Sequence, residues 1–363
     1  MENKVTDTDL SLLYSMLETP SVGGHEEAIQ QHALAFGRPF ADQQIVDPVG
    51  NVIQVIEPKR QPAEPGAAPL SVLLMGHVDE IGFIVTHIDD RGLIHVARYG
   101  GVTPSLYVGA PMQIIHAGSR VCGVAAPTSE LRKKGDVSDG DLLIDIGASD
   151  KAEAAAAVSI GDQVCADVGV RTLLGGSISA RALDDKSGAY VVLEAARRAA
   201  EAGTHCRVLA ATTVGEENTG RGAYYAAART NPDCAIVVDV TWCSDAPGTD
   251  PADTGDIHLG AGPVLCLSSM VSKPMNALLT ELAKEYDIPV QYELAPGRTH
   301  TDGDTSAFTG RGVPMALISV PERYMHSSVE VVNLRDLENC VRLLAAFLCR
   351  IDNDFDFAPF GTK

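Results

Sequence analysis

Six acidic or imidazole side chains of this 363-residue chain lie at or near the ends of apolar runs. They are His77, Asp184, Glu216, Glu217, Asp239 and His326. The runs that precede them, such as 71–77 and 234–239, have the length and apolar content of buried strands. Because ligands of open α/β sheets gather outside the carboxyl ends of parallel strands, these residues are expected to converge. The sequence therefore predicts a hydrolase site that holds two metal ions.

His77 and Asp79 are separated by one residue, so their side chains lie on the same face of an extended segment. A metal-bound imidazole commonly donates its second N–H to a carboxylate, and Asp79 is placed to accept it. A purely structural hydrogen-bonded pair is the alternative for an isolated H-x-D pattern. The pattern indicates a metal site only together with the other residues.

Two adjacent carboxylates, Asp184 and Asp185, stand where a helix is predicted to begin at about Lys186. The free N–H groups and the dipole of a helix N-terminus favour negative charge there, so a helix cap is one explanation. A cap requires only one acid, however. The second carboxylate needs a cation of its own, and a position between two divalent ions would supply it.

Glu216 and Glu217 enter a glycine-bounded turn directly after the predicted strand 206–214. One glutamate could bind a metal ion while the other accepts the proton of a water acidified by that ion. A solvated acidic turn is the alternative. Asp239 ends the run Ala-Ile-Val-Val, and an acid at a buried strand end must be paired or bound to metal.

His326 follows the predicted strand 313–320 in a loop, where functional residues are concentrated. A single loop histidine is more often a surface residue. The five proposed ligands nevertheless occur in the order and at the places that one dinuclear site would require, which favours a shared site.

The elements that must position these residues alternate between helix and strand. Before residue 82 an N-terminal helix pair precedes the strand 70–77, and after residue 170 helices and strands follow each other to a final helix at 334–350. Such alternation predicts a mostly parallel sheet in an α/β fold. Residues 82–170 instead contain short β-rich pieces broken by Gly and Pro, which predicts an inserted all-β domain. The expected domains are therefore 1–81 with 171–363, and 82–170.

Composition excludes several functional classes. A net charge of −20 opposes binding to nucleic acid, because the cationic side chains that contact phosphates are in deficit. The eight cysteines form no C-x-x-C pair, so reduced thiols are expected and the metal ligands should be oxygen and imidazole. Residues 1–7 lack a basic stretch followed by an apolar run, and no uninterrupted run of membrane-spanning length occurs. A soluble cytoplasmic protein without a membrane partner is expected.

The chain resembles the glutamyl-aminopeptidase-like, tetrahedral aminopeptidases, which are metallopeptidase family forty-two of the co-catalytic zinc exopeptidases. Seven ordered blocks carry the resemblance over nearly the whole chain: G-H-V-D-E-I-G-F, R-A-L-D-D-K-S-G, G-E-E-N-T-G-R-G-A, V-D-V-T, G-D-I-H-L-G-A-G-P-V, T-D-G-D and P-E-R-Y-M-H-S-S-V-E-V-V.

The resemblance implies a specific set of roles. His77 and Asp239 would hold one metal ion, Glu217 and His326 the other, and Asp184 would bridge them. Glu216 would be the general base and Asp79 the acid that orients a ligand. The metals would be Zn²⁺ or Co²⁺, and a metal-bound hydroxide would attack the N-terminal peptide bond of a short peptide.

The resemblance also implies an architecture. The catalytic domain would have the phosphorylase/hydrolase-like α/β/α fold, interrupted by a barrel-like dimerisation domain. Relatives commonly build a hollow tetrahedral dodecamer from dimers, so self-association is expected.

Two segments depart from the family pattern near the expected substrate pocket. Trp242 follows Thr241 where relatives often have His, and His300 precedes Thr301 where a smaller residue is common. Arg298, His300 and Asp302 are the candidate substrate-binding residues. The two cations predict that acidic or apolar N-terminal residues are preferred over basic ones by a small margin. Solvent-facing positions for Arg298 and His300 are the alternative.

Two other functions remain open. The same metal site could serve an amidohydrolase that deacylates N-acyl amino acids, and the chain could be a non-catalytic oligomeric scaffold. Activity on aminoacyl nitroanilides rather than on acylated amino acids would separate the first from a peptidase. Metal binding without turnover of any peptide would favour the second.

Overall fold

The structure is a computed structural model, and it describes residues 7–60 and 67–360. The segment 1–6, part of the N-terminal stretch used to predict the cellular location, lies outside the described residues. Within the described residues, no helix is both long enough and apolar enough to cross a membrane.

The α-helices of the described residues alternate with strands along most of the chain. They are α1 (Asp7–Glu18), α2 (Glu27–Gly37), α3 (Lys151–Ala157), α4 (Leu183–Ala202), α5 (Glu216–Thr219), α6 (Arg221–Thr230), α7 (Pro251–Thr254), α8 (Lys273–Glu285), α9 (Gly303–Ser306) and α10 (Leu334–Arg350).

The strands of the same residues form one large sheet and one barrel. They are β1 (Gln43–Val46), β2 (Val52–Ile56), β3 (Ser71–His77), β4 (Gly82–Ile88), β5 (Ile94–Tyr99), β6 (Pro111–His116), β7 (Ser119–Ala125), β8 (Leu143–Asp145), β9 (Gln163–Ala166), β10 (Arg171–Thr172), β11 (Ser177–Ala180), β12 (Arg207–Thr213), β13 (Cys234–Trp242), β14 (Val264–Ser268), β15 (Gln291–Ala295), β16 (Met315–Arg323) and β17 (Glu330–Asn333).

The large sheet runs in the order β1-β2-β12-β3-β13-β16-β17-β11-β10, with β14 and β15 attached beside β16. Its four central strands, β12, β3, β13 and β16, are parallel to one another. Parallel pairing needs crossover connections. The connection from β3 to β12 includes α4, and the connection from β12 to β13 includes α6. The carboxyl ends of these strands therefore meet at one edge of the sheet.

Helices cover both faces of the sheet. Alternate residues of each central strand point to opposite faces, so one strand contributes to both cores. Val72 and Leu74 of β3 pack in a core with α1, α2, α4 and α10. Leu73 and Met75 of the same strand pack in a second core with α6. The result is a three-layer α/β/α arrangement.

Strands β4 to β9 close into a six-stranded barrel in the order β4-β5-β8-β7-β6-β9. A separate hydrophobic core fills it, with Phe83 packed edge-on against Tyr107 at a ring distance of 5.2 Å. The predicted fold class, an α/β/α domain with a barrel-like all-β insertion, is confirmed. The boundaries at 82 and 170 and the role of the insertion in dimerisation stay predictions.

Some strand limits differ from those that the sequence predicts. β13 continues three residues beyond Asp239, because it pairs with β16 as far as Trp242 opposite Glu322. Asp239 thus lies within a strand and not at its end. β14 and β15 were not foreseen, and β15 buries only Glu293 among its five residues, which leaves little hydrophobic pattern to detect.

Candidate active site

The six predicted residues come together at the carboxyl edge of the parallel strands. His77 is the last residue of β3, Glu216 and Glu217 open α5 after β12, and Asp239 lies near the end of β13. His326 follows β16 in a turn where its φ is 61°. Asp184, at the start of α4, lies between the two histidines.

Each oxygen of the Asp184 carboxylate faces a different histidine. Oδ1 lies 3.2 Å from Nε2 of His77, and Oδ2 lies 3.1 Å from Nε2 of His326. The carboxylate thus joins the two imidazoles, which is the arrangement required of a group that could contact two cations at once.

Each glutamate lies beside one of the two histidines. Oε2 of Glu217 lies 3.4 Å from Nε2 of His326, and Oε2 of Glu216 lies 3.8 Å from Nε2 of His77. Oε1 of Glu217 is buried without a hydrogen-bond partner in the structure. An orphaned carboxylate oxygen beside an imidazole is a suitable metal ligand, since a buried acid otherwise lacks compensation.

Within residues 7–60 and 67–360, two overlapping groups of side chains, both of which include His77, have the spacing of metal ligands. Ligand atoms of His77, Asp184 and Glu217 all lie within 4.8 Å of one another, and so do those of His77, Asp185 and Asp239. Oxygen and imidazole donors of this kind suit zinc and cobalt. The donor set therefore fits a divalent-metal site.

Asp184 and Asp185 have different surroundings. Asp185 accepts hydrogen bonds from the backbone N–H groups of Gly188, at 3.0 Å, and of His77, at 3.2 Å. It therefore holds the first turn of the helix to the end of β3, while Asp184 faces the histidines. The contacts of Asp185 agree with the helix-cap explanation, and the sharing of Asp184 between two ions stays a prediction.

Asp79 was predicted to contact His77, and it also contacts the turn that carries Glu216 and Glu217. The closer partner of His77 Nδ1 is the backbone carbonyl of Asp79, at 3.0 Å, and Oδ1 of Asp79 lies 3.5 Å away. The carboxylate accepts the backbone N–H groups of Glu216 and Glu217, at 3.0 and 3.2 Å. Asp79 thus joins the end of β3 to the turn that follows β12.

The buried acids of the cluster need positive charge. Burial raises the pKa of Glu216 to about 9, His77 opposes the rise, and the charges of Asp239 and Asp302 increase it. Burial likewise raises the pKa of Asp239 and of Glu217. A general base must be ionised near neutral pH. Divalent cations next to these carboxylates would favour their ionised forms, which again fits a metal site.

The barrel reaches the cluster through the turn that follows β5. At Gly101, an added Cβ would overlap the ring of His326 at Nδ1. At Gly100, where φ is 76°, a Cβ would lie 3.2 Å from Oε2 of Glu217. The two glycines let the inserted barrel pack directly against two proposed ligands.

A cavity of about 1020 Å³ opens beside the cluster, and His77, Asp184, Glu216 and His326 line it. Arg298 and His300 also line it, and both are exposed. Asp302 is only 1% exposed, and its Oδ2 accepts a hydrogen bond from the Thr213 hydroxyl. It is not among the residues that line the cavity, so the predicted substrate contact by Asp302 is not supported.

Two buried features near the cluster were missed from the sequence. Glu330 accepts backbone hydrogen bonds from Leu183, Asp184 and His326. Glu80 forms ion pairs with Arg181 and Lys186, all three being buried. The available signals were an acid directly before the two valines of the strand Glu330–Asn333, and an acid directly after Asp79. Neither reveals its partners without the fold.

The fold and the site define a peptide hydrolase. The profile of the M42 glutamyl aminopeptidase family matches residues 59–343, and the chain belongs to that family. The lysyl aminopeptidase of Pyrococcus furiosus is 32% identical over 361 residues, which cover 97% of this chain and 99% of that protein. The predicted family and the prediction of an aminopeptidase are thereby confirmed.

Solved structures agree. A TET aminopeptidase from a marine sediment archaeon of the Thaumarchaeota superimposes with a TM-score of 0.88 at 28% identity, covering 96% of this chain and 99% of that one. The TET1 peptidase of Pyrococcus horikoshii gives 0.82 at 30% identity, covering 94% and 100%. That peptidase can assemble into a tetrahedron or a large octahedral shell.

Proposed function

We propose that this chain is a dinuclear metallo-aminopeptidase that removes N-terminal residues from short peptides. The observation that carries the proposal is the position of Asp184, whose two carboxylate oxygens each face one histidine. A carboxylate between two imidazoles can bind one ion on each side, together with the histidine on that side.

In this proposal His77 and Asp239 hold one ion, Glu217 and His326 hold the other, and Asp184 is shared. The distances of Asp184 and Glu217 to the histidines support this division. Zinc or cobalt suits the donors. When bound, such ions would polarise the scissile carbonyl and lower the pKa of a water molecule, so that it loses a proton readily and becomes a stronger nucleophile.

Glu216 accepts the proton of the attacking water and returns it to the leaving amine. Its carboxylate lines the cavity and lies beside His77, where the water and the scissile bond would meet. Asp79 holds the backbone of Glu216 and Glu217 and thereby orients the base relative to the ligands. The cluster thus has a separate residue for proton transfer and others for binding ions.

The cavity supports a preference among N-terminal residues. Arg298 and His300 are cationic, and they would attract an acidic side chain of the substrate. Asp253, Glu293 and Asp304 lie in the same lining and limit the positive potential. We therefore propose that acidic or apolar N-terminal residues are favoured over basic ones by a small margin.

We further propose that the chain self-associates through the barrel of residues 82–170, first into dimers and then into a closed shell. The structural similarity to peptidases with TET assemblies supports this. A hollow shell would admit short peptides and exclude folded proteins. Light scattering on the full chain measures the assembly directly, and a monomeric mass would contradict it.

Enzyme reconstituted with Zn²⁺ or Co²⁺ should be assayed on aminoacyl nitroanilides and on the matching N-acetylated amino acids. Hydrolysis of the first group with little activity on the second is expected. The reverse result would identify a deacylase, and two bound ions without turnover of either group would identify a scaffold.

The specificity proposal has its own comparison. Arg298→Ala should lower the kcat/KM ratio of Glu to Leu substrates, because it removes a positive charge from the cavity wall. Arg311→Ala is the matched control, since Arg311 is exposed and pairs with Asp233 outside the cavity lining. A tenfold or greater preference for Lys or Arg substrates would contradict the proposed order.

A further inference from the structure

Glu330 is a buried carboxylate that binds two separate segments of the candidate site. Its side chain is at the start of β17, four residues after His326, and the residue is 1% exposed. Oε2 accepts the backbone N–H groups of Leu183 and Asp184, at 2.7 and 3.3 Å. Oε1 accepts the backbone N–H of His326, at 3.1 Å. One carboxylate therefore connects the segment of the shared ligand to the turn of a histidine ligand.

Both connected segments contain a residue in an unfavourable backbone conformation. Ala182, directly before Leu183, has φ of 57°, and His326 has φ of 61°. Residues other than glycine rarely adopt the left-handed region, and they stay there only where their surroundings hold them. The Glu330 side chain accepts backbone N–H groups from both segments, so it is suited to hold them in these conformations.

The two segments carry Asp184 and His326, whose side chains face each other. Oδ2 of Asp184 lies 3.1 Å from Nε2 of His326. Asp79 and Asp185 also hold backbone of the site, but Asp79 binds Glu216 and Glu217, and Asp185 binds His77 and Gly188. Among these three carboxylates, Glu330 is the one that spans Asp184 and His326.

We propose that Glu330 is a positioning residue that sets the separation of Asp184 and His326 and thereby the affinity for the metal ion that they share. This inference rests on the proposed function, because it assumes that the two residues bind an ion.

The substitution Glu330→Gln tests it. A glutamine has one acceptor oxygen and one amide nitrogen, so it can accept from one segment while its NH₂ group faces the N–H donors of the other. Competition with a chelator for Zn²⁺ should show that the affinity of one of the two sites falls about 10–100-fold, as for other residues that orient metal ligands. At saturating Zn²⁺ the kcat should return toward the wild-type value, whereas KM should change little.

Asp336→Asn is the matched control. Asp336 is also fully buried and accepts two backbone N–H groups, those of Gly260 and Gly262, at 2.6 and 2.8 Å. The Asp336→Asn substitution should lower the melting temperature without changing Zn²⁺ affinity. Glu330→Asp is a second test variant, because it keeps both carboxyl oxygens but is one methylene too short to span both segments. It should weaken Zn²⁺ binding in the same way.

The outcomes are distinct. Zn²⁺ affinities of Glu330→Gln or Glu330→Asp that equal those of the wild type would overturn the inference. An equal loss of affinity in Asp336→Asn would also overturn it, since it would show a general effect of lower stability. A wild-type chain that binds no divalent ion would instead refute the proposed function.

Discussion

The carboxylate of Asp79 accepts the backbone N–H of Glu216 at a distance of 3.0 Å. A residue two positions after the proposed ligand His77 therefore fixes the turn that carries the proposed base. The backbone carbonyl of Asp79 meanwhile contacts Nδ1 of His77. A single residue thus links a metal ligand to the group that transfers the proton.

Asp79→Asn should lower metal affinity or kcat about 10–100-fold, since it acts by orienting other residues and does not react itself. The N–H groups of Glu216 and Glu217 are bound by different oxygens of Asp79. Asparagine has an NH₂ group in place of one of these oxygens, so one of the two hydrogen bonds is lost. Steady-state kinetics with measured metal content provide the test. Asp336→Asn serves as a control for loss of stability, and an Asp79→Asn enzyme with wild-type affinity and kcat would contradict the role of Asp79.

The shared position of Asp184 predicts a pattern of metal loss. His77→Ala and His326→Ala should each weaken one site, because they face different oxygens of Asp184. Asp184→Ala should weaken both. Metal content after dialysis, measured by mass spectrometry, distinguishes the cases. Two tightly held ions in Asp184→Ala would show that this carboxylate is not shared.

The contact between the barrel and the site predicts that Gly101 tolerates no side chain. Gly101→Ala should displace the ring of His326, because the new Cβ would overlap it. Weaker binding of one metal ion and lower activity are expected, with the other ion retained. Gly169→Ala is the control, since a Cβ there meets nothing within 4 Å. An unchanged Gly101→Ala enzyme would mean that the turn after β5 does not support His326.

The buried ion pairs of Glu80 predict a pH dependence of stability. Burial would raise the pKa of Glu80, but Arg181 and Lys186 outweigh burial and lower the pKa from 4.5 to about 2. Since the folded-state pKa lies below the unfolded value, this contribution is present above the unfolded value and is lost as pH falls toward 2. It is on the order of 3 kcal/mol.

Glu80→Gln should therefore be less stable than the wild type at neutral pH, and the difference should shrink as the pH is lowered below about 4.5. Urea unfolding of both proteins at a series of pH values measures it. Metal loss in acid affects both proteins and largely cancels in the difference. A gap that stays constant with pH would contradict the stated cause.

Much of the site could be predicted because its residues follow strands that are readable as apolar runs. His77 and Glu216 are examples, since a parallel sheet brings strand ends together whatever their separation in sequence. The start of α4 was predicted as an acidic helix N-terminus, yet only the backbone course shows that Asp185 binds Gly188 while Asp184 faces the histidines.

Other features could not be predicted because they depend on long-range packing. The hydrogen bond from Asp184 to Glu330 joins residues 146 positions apart. Asp302 was expected near the substrate from its place after Arg298 and His300. The chain instead folds it inward, where it accepts a hydrogen bond from Thr213. Short-range pattern carries no information about such contacts.

The kinetics and metal content of Glu216→Gln test the central claim most directly. Glutamine keeps the shape of the side chain but cannot accept a proton from water at neutral pH. The variant should retain both metal ions, because Glu216 is not a proposed ligand, and its kcat should fall at least about a hundredfold. A variant with two bound ions and near-wild-type kcat would show that Glu216 is not the base.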